Sequence, residues 1–495
     1  MKNKGWIGKF YYMHDKIESR NIGIAFVFCL FSLGFLFFQS KGIEGGLDSW
    51  NHFLISRSAI KYPELLLNQW NKPIFTWLTV FVCQFGMNAL VWFNITCVLF
   101  SGLLIALAFK KQKFSHAWVL LPLLVFTPIL FENIISGLTE PLNVLMLSTV
   151  MYFWANNKLK TALIIASFLP FVRTEGFVIL GAIILMVLYK KQYKALLWLF
   201  VGSFVMNFVG FLITGKPFWI ITENPYWQQE VSGKFDPGSG SFFHFFKVAR
   251  NMFGLLGCGL FLFGNLVLGY LLVKKQKIDD LFLLSFLVFW AYFMAHTTIY
   301  YLGILGSHGL LRVMAVVVPA FAIIIFYGLN TAFKSLKFKN AGCFYLLLIL
   351  GFIHNAYKET EYAKPYRWSE ATIKVDKGLQ NFYKAGEWLK ENNLLDSTII
   401  HQSPYFNVAF NKDPYNEKSS FYVWSINQEK DYAPKGIILI WDGFSAVREG
   451  NMKLKWLQNN SEYEEIHYIE GFEKPKENPQ MWDIRIFRKI SYFNK

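Results

Sequence analysis

Long apolar runs separated by short polar segments fill the first 357 residues of the chain. A bilayer core about 30 Å thick takes about 20 apolar residues to cross as a helix. The first run is Asn21–Gln39, and its basic N-terminal flank with no small-residue cleavage site predicts an uncleaved anchor. Ten more runs predict, with the first, about eleven transmembrane helices. They lie at about 88–109, 116–135, 138–155, 159–172, 175–189, 195–214, 250–273, 281–300, 309–329 and 341–356.

The orientation follows from lysines between these runs. The apolar stretch Pro73–Gly86 has only 14 residues, so we interpret it as an interfacial or re-entrant helix rather than a span. Five basic clusters and the basic N-terminus then fall on one side, which the positive-inside rule assigns to the cytoplasm. The clusters are Lys110/Lys111/Lys113, Lys158/Lys160, Lys190/Lys191/Lys194, Lys274/Lys275/Lys277 and Lys334/Lys337/Lys339. An odd number of spans puts the C-terminus outside.

The pattern changes after residue 357. Amphipathic helices are predicted at 381–393 and 453–459, buried strands at 397–400 and 436–441, and an alternating strand at 482–488. We therefore predict a polytopic α-helical membrane domain at 1–357, with long outer loops at about 40–87 and 215–249, and a small extracytoplasmic α/β domain at 358–495.

Composition and charge agree with this division. The chain is 54% hydrophobic and only 17% charged, against about 25% charged residues in a typical soluble protein. The net charge of +16 lies entirely before residue 358, because the segment from there to the C-terminus has 20 basic and 20 acidic residues. Basic residues that punctuate apolar runs indicate membrane topology rather than a nucleic-acid-binding face. All five cysteines lie in apolar segments, so we predict neither a disulfide framework nor a cysteine metal site.

Acidic residues concentrate on the predicted outer side. Nine of the 13 acids before residue 358 lie at or beyond the outer ends of spans, and carboxylates near apolar spans tend to mark function. Asp48, soon after the first span, is the best candidate for a general base toward a hydroxyl nucleophile. The alternative is a helix N-cap. His52 lies four residues on, on the same helical face, and could support Asp48 or hold a divalent cation with it. Its alternative is an ordinary polar interfacial residue.

Further candidates lie at other outer ends of spans. Glu140 stands in a Thr-Glu-Pro turn, where an acid also suits a helix N-terminus. Arg173 and Glu175 share a turn and could pair with each other. Lys72 and Arg312 run against the positive-inside rule, which is reasonable if they bind an anionic headgroup. The alternative for both is snorkelling at the interface.

Two histidines flank the last of these outer turns. His308 completes the set of candidate substrate-binding residues, although a structural role is the favoured alternative for both His308 and His296.

The order of these features resembles the GT-C superfamily of integral-membrane glycosyltransferases. An acid follows span one, Lys72-Pro73 precedes an interfacial helix, and Arg173-Thr174-Glu175-Gly176 forms a turn between later spans. An Arg312-led span that contains Pro319 and an outer α/β tail follow. Bacterial members include the protein mannosyltransferase-like and aminoarabinose transferase-like enzymes. In that family the first outer loop carries the catalytic acid, often as an adjacent acidic pair, but here Asp48 is followed by Ser49.

The resemblance implies an activity in the bacterial cytoplasmic membrane. The donor would be a sugar on a polyprenyl phosphate, and the acceptor a glycan, lipid or protein reached from outside. Asp48 would be the base and the anomeric centre would invert. The alternatives are a transporter or flippase of a lipid-linked glycan, and a glycan polymerase or ligase with a different donor. The sugar, the acceptor and any need for a divalent cation stay open.

Overall fold

The structure is a computed structural model that describes residues 3–40, 42–223, 239–305, 307–338, 340–359, 377–423, 433–476 and 478–491. The chain divides into two compact units. The membrane unit consists of Met1–Ser40 and Ile55–Trp368, and the tail unit consists of Lys41–Leu54 and Ser369–Lys495. The division differs from the boundary predicted at 357/358 in two respects: it falls between Trp368 and Ser369, and a segment of the first outer loop, Lys41–Leu54, groups with the tail.

Among the described residues, seven helices are long and apolar enough to cross a membrane, and two shorter apolar helices accompany them at Leu159–Phe171 and Gly176–Tyr189. The architecture is thus that of a polytopic helical membrane protein, but eleven full-length spans are not found. The seven are Asp15–Gln39, Met87–Lys111, Tyr193–Thr214, Leu255–Val273, Asp280–Leu302, Leu311–Ser335 and Ala341–Lys358.

Proline explains part of this difference. The run predicted as one span at 116–135 forms three short helices, Ala117–Val119, Leu120–Val125 and Pro128–Asn133. Thr127 has an extended backbone directly before Pro128, because a proline ring disfavours the helical conformation of the residue before it. The next run forms the 16-residue helix Glu140–Ala155, which is shorter than the about 20 residues that a full span needs.

Helices of the membrane unit differ widely in burial. Leu311–Ser335 is 94% buried over its most apolar window, and Tyr193–Thr214 is only 22% buried, so the first lies at the centre of the unit and the second at its periphery. The outer-loop segments form short helices only. They are Gly46–Ser58, Pro63–Leu67, Pro73–Thr79, Val82–Phe85, Trp219–Thr222, His244–Lys247 and Ala249–Phe253. Residues 224–238 of the predicted second loop lie outside the described residues.

The tail unit contains a five-stranded mixed sheet. Its strands are β1 (Ile399–His401), β2 (Ser420–Tyr422), β3 (Ile438–Asp442), β4 (Tyr463–Ile469) and β5 (Ile484–Lys489). The order is β2-β1-β3-β5-β4, with β1 parallel to β2 and β3, and β5 antiparallel to β3 and β4. Its helices are Lys377–Glu391, Pro404–Ala409, Ser445–Arg448 and Leu454–Asn459.

Two strands escaped prediction for physical reasons. β2 has three residues, too few to show an alternation. β4 is an edge strand that exposes Glu464 and Glu465 and carries a register shift before His467. Charges and bulges of this kind protect an edge from pairing with other chains, and they also erase the apolar pattern of a strand.

Candidate active site

Three predicted candidates of the membrane unit form one buried ion network. The Glu140 carboxylate, 1% exposed, lies 2.8 Å from a guanidinium nitrogen of Arg173 and 3.6 Å from Nε of Arg312. Arg173 also donates a hydrogen bond of 3.0 Å to the Thr139 hydroxyl. Glu140 is the first residue of its helix, where the helix dipole favours a negative charge. Both arginines are therefore held by one carboxylate at a helix N-terminus.

The turn that carries Arg173 requires the glycine that follows it. Pro170 lies in a short 3-10 helix, Leu169–Phe171, and Gly176 begins the next helix. A Cβ at Gly176 would lie 2.4 Å from the Leu169 carbonyl carbon and 2.5 Å from the Pro170 nitrogen. No side chain fits there, so the two helices pack closely at Gly176. This packing fixes the position of the Arg173-Thr174-Glu175 turn between them.

Glu175 completes the turn by pairing with Arg173, as the simpler reading of the sequence expected. Its carboxylate accepts a hydrogen bond of 2.8 Å from Arg173. Arg173 is therefore paired with two carboxylates, those of Glu140 and Glu175.

Lys72 joins the same site from the first outer loop. Its Nζ donates a hydrogen bond of 2.7 Å to the Thr174 hydroxyl, and the residue is only 8% exposed. Burial lowers the pKa of Lys72 to about 8. Its backbone lies at φ 73° and ψ 117°, a region that residues with a Cβ rarely adopt, and strain of this kind concentrates at functional sites. Snorkelling into water does not describe this buried side chain.

The loop before Lys72 is anchored by side-chain hydrogen bonds. Asn71 donates to the hydroxyls of Thr76 at 2.7 Å and Ser56 at 3.1 Å, and Gln69 donates to the Trp219 carbonyl oxygen at 2.9 Å. Because Asn71 is completely buried, these bonds compensate its loss of water and hold Lys72 in place.

The helix Asp280–Leu302 adds two residues that the sequence analysis did not assign to the site. The rings of Tyr292 and His296 are in contact, tilted by 51° with their centroids 4.6 Å apart. Tyr292 donates a hydrogen bond of 3.2 Å to the Val313 carbonyl oxygen, next to Arg312. His296 interacts electrostatically with Glu175. It is 5% exposed, and neither ring nitrogen has a hydrogen-bond partner among the described residues. The polar pair at i and i+4 within an apolar span was the available signal.

The other two candidates of the first outer loop, Asp48 and His52, belong to the tail unit. The helix Gly46–Ser58 places Asp48 within its first turn. Trp50 of this helix packs edge-on against Tyr405 of the tail, with ring centroids 4.9 Å apart. Asp48 is half-buried and His52 is 7% exposed.

Asp48 has an acidic neighbour that the sequence did not indicate. Although Glu449 is exposed over part of its surface, the burial of its carboxyl group, together with repulsion from Asp48, raises its pKa to about 7. The two acids are far apart in sequence, so no local pattern could have paired them.

His308 lies in the turn after helix Asp280–Leu302, half-buried and with φ 49°. Its role in substrate binding stays a prediction. Within the part of the chain that the structure describes, no group of three or more His, Cys, Asp or Glu side chains is arranged to hold a metal ion. The pair Asp48 and His52 is therefore not part of a larger cluster of this kind.

Comparisons with known proteins bear on the fold. No protein-family profile and no curated protein sequence matches the chain. A crystal structure of ArnT from Cupriavidus metallidurans, bound to undecaprenyl phosphate, is similar with a TM-score of 0.59 and 11% identity over 99% of both chains. The oligosaccharyltransferase of Archaeoglobus fulgidus, in complex with zinc and sulfate, matches 75% of this chain and 58% of its own length, with 13% identity and a TM-score of 0.46.

The likeness to ArnT covers 99% of both chains, so it extends over both the helical region and the small C-terminal sheet domain. The resemblance noted in the sequence is thus confirmed at the level of the fold: the chain has the fold of this ArnT structure.

Proposed function

We propose that this protein is a membrane glycosyltransferase that moves a sugar from a polyprenyl-phosphate donor to a hydroxyl group of an acceptor on the outer face of the cytoplasmic membrane. The observation that carries the proposal is the buried ion network on a GT-C fold. Three cations, Lys72, Arg173 and Arg312, lie together there with the carboxylates of Glu140 and Glu175.

A group of cations at the ends of apolar helices suits a phosphate on an apolar chain. Arginine offers a planar pair of N–H donors to phosphate oxygens, and lysine offers a compact charge. Glu140 and Glu175 keep these cations in position before the donor binds. The undecaprenyl phosphate bound to ArnT supports a donor lipid of this class.

Asp48 is the proposed base. Its carboxylate would take the proton from the acceptor hydroxyl while the acceptor oxygen attacks the anomeric carbon. The bond from that carbon to the phosphate oxygen breaks, and the electron pair leaves with the polyprenyl phosphate. A single displacement of this kind inverts the anomeric centre. The cations of the network would stabilise the charge of the departing phosphate.

A transporter or flippase of a lipid-linked glycan would also need outer cations, but it would not need a general base. A glycan polymerase or ligase would share the base and differ in its donor. The fold supports an enzyme over a transporter, and Asp48 is the residue whose replacement tests this choice.

The decisive experiment compares Asp48→Asn with Asp396→Asn, a matched replacement of an exposed acid in the tail unit. Transfer from a radiolabelled polyprenyl-phosphate sugar is measured on purified, folded protein in nanodiscs. The Asp48→Asn rate should fall by about 10²- to 10⁴-fold while donor binding persists. Loss of the favourable charge in the first turn of a helix costs only about 0.3–1 kcal/mol, so the variant should fold. A near-normal rate would remove Asp48 from the mechanism and make Glu140 the next candidate.

A further inference from the structure

The tail sheet contains a topological switch point. From β1 the chain passes through the helix Pro404–Ala409 to β2 on one side. From β3, the neighbour of β1 on its other side, the chain continues to β4 and β5 still further in that direction. The chain therefore leaves the carboxyl ends of two adjacent parallel strands in opposite directions. In open α/β sheets such a point opens a crevice, and ligands bind there.

Two side chains at this crevice lack the partners that buried polar groups normally have. Gln402 and Ser403 follow β1 directly and are 1% and 0% exposed. Within the described part of the chain, neither amide atom of Gln402 nor the Ser403 hydroxyl forms a hydrogen bond. Buried polar side chains in folded proteins are nearly always hydrogen-bonded, so this edge of the sheet offers donors and acceptors that the described part of the protein leaves unused.

Neighbouring polar groups at the same edge are already committed. The backbone N–H of Ser403 donates to Nδ1 of His401 at 3.1 Å, so the proton of this ring lies on Nε2, which donates to Asn407 at 2.9 Å. The Asp442 carboxylate, at the end of β3, accepts backbone N–H groups that include that of Ala446 at 3.0 Å. These bonds fix the two turns. In the described part of the chain they leave the Gln402 amide, the Ser403 hydroxyl and the Asn407 amide nitrogen without a hydrogen bond.

The candidate base lies beside this pair. Packing of Trp50 against Tyr405 joins the helix of Asp48 to the helix that follows Ser403. Glu449, soon after β3, interacts electrostatically with Asp48, and the Gln402 amide lies close enough to the Glu449 carboxyl group to lower its pKa. An amide, a hydroxyl and two carboxyl groups therefore converge from three separate segments of the tail unit.

We propose that the crevice at the carboxyl ends of β1 and β3 is the acceptor subsite, and that Gln402, Ser403 and Glu449 bind hydroxyl groups of a neutral sugar beside Asp48. This assignment rests on the proposed function of Asp48. An amide donates and accepts, a hydroxyl does both, and a carboxylate accepts from O–H groups, which together match the several hydroxyls of one pyranose ring. In the sugar, Ser403 gains a partner that the described part of the protein does not supply, and Gln402 gains partners besides Glu449.

The test measures sugar binding directly, without catalysis. Full-length protein in nanodiscs free of glycoside detergents is examined by saturation-transfer NMR with the methyl glycosides of glucose, galactose and mannose as probes. At least one probe should bind the wild-type protein. Gln402→Met, which preserves the shape of the side chain, and Ser403→Ala should each lower the affinity for that probe by about three- to tenfold, as expected for one lost hydrogen bond.

Matched control variants are Gln458→Met and Ser461→Ala, exposed residues of the same unit, which should bind like the wild type. No binding of any probe to the wild-type protein, or equal binding by Gln402→Met, Ser403→Ala and the controls, would overturn the assignment. Displacement of the sugar by a serine-containing peptide at lower concentration would overturn the sugar class.

The same preparation separates this inference from the proposed function. Asp48→Asn should still bind the methyl glycoside, because the base is needed for transfer and not for every hydrogen bond to the sugar. Full transfer activity in Asp48→Asn together with binding that depends on Gln402 would refute the base and retain the sugar site. Loss of transfer in Asp48→Asn together with sugar binding that is unchanged in Gln402→Met would retain the base and refute the sugar site.

Discussion

Lys72 allows the proposed donor site to be tested by pH alone. Burial lowers the pKa of its ammonium group to about 8, although the nearby Glu175 carboxylate acts in the opposite direction. At pH 7 about nine-tenths of the free protein carries this positive charge, and at pH 9 only about one-tenth does. If the charged form is the one that binds phosphate, the apparent affinity should fall in proportion to its population.

The expected change is therefore about a tenfold loss of affinity between pH 7 and pH 9. The probe is a short-chain polyprenyl methyl phosphate, a diester that carries one negative charge throughout this range. Binding of the anion should in turn raise the pKa of Lys72, so the protein should take up about 0.8 of a proton on binding at pH 8.5. Isothermal titration calorimetry in buffers of different ionisation enthalpy measures both the affinity and this proton uptake.

Two variants decide whether Lys72 causes the effect. Lys72→Arg keeps its charge at every pH used, so its affinity should stay level, and Lys72→Met should bind weakly at both pH values. The control is Lys216→Arg, a replacement of an exposed loop lysine, which should show the wild-type decline. A level wild-type affinity between pH 7 and pH 9, or a tenfold decline that persists in Lys72→Arg, would refute the reasoning.

Three further outcomes are expected. Arg173→Lys and Arg312→Lys should each weaken binding of the same probe, because lysine cannot form the paired N–H contacts of arginine, and unchanged affinity in both would return these residues to a structural role. A reporter active only outside the cytoplasm should work when fused after Lys358 and fail after Lys113, and activity at both positions would contradict the orientation. Glu449 has its pKa raised to about 7 in the folded protein, so its ionisation destabilises the fold increasingly from about pH 4.5 to 7. Glu449→Gln should therefore gain thermal stability over the wild type as pH rises through this window. A difference in melting temperature that does not change with pH would contradict the raised pKa of Glu449.

The membrane architecture followed from the sequence because its cause is local. An apolar run must leave water wherever it lies in the fold, and a lysine cluster between two runs must stay in water. The lengths of the helices did not follow from the apolar runs alone, since a proline such as Pro128 interrupts the helix within a run that stays apolar. The same local argument found β1, β3 and β5, whose residues are mostly buried, and missed the three-residue β2 and the charged edge strand β4.

The candidate residues also came from the sequence, but their relations did not. Residue type and position at an outer helix end selected Glu140, Arg173 and Arg312, and only the packing of distant helices set Glu140 between the two arginines. His296 looked structural because a single histidine in an apolar run shows nothing about what faces it. Its unpartnered ring nitrogens become visible only when the neighbouring helices are in place.

Asp48 shows the division most clearly. The sequence determined that an acid follows the first span, because that order is a property of the chain itself. The tertiary structure decided that this acid groups with the tail, where Trp50 meets Tyr405 and Glu449 approaches Asp48. Burial and electrostatic coupling depend on distances in space, and contacts between segments so far apart along the chain leave no pattern in either segment alone.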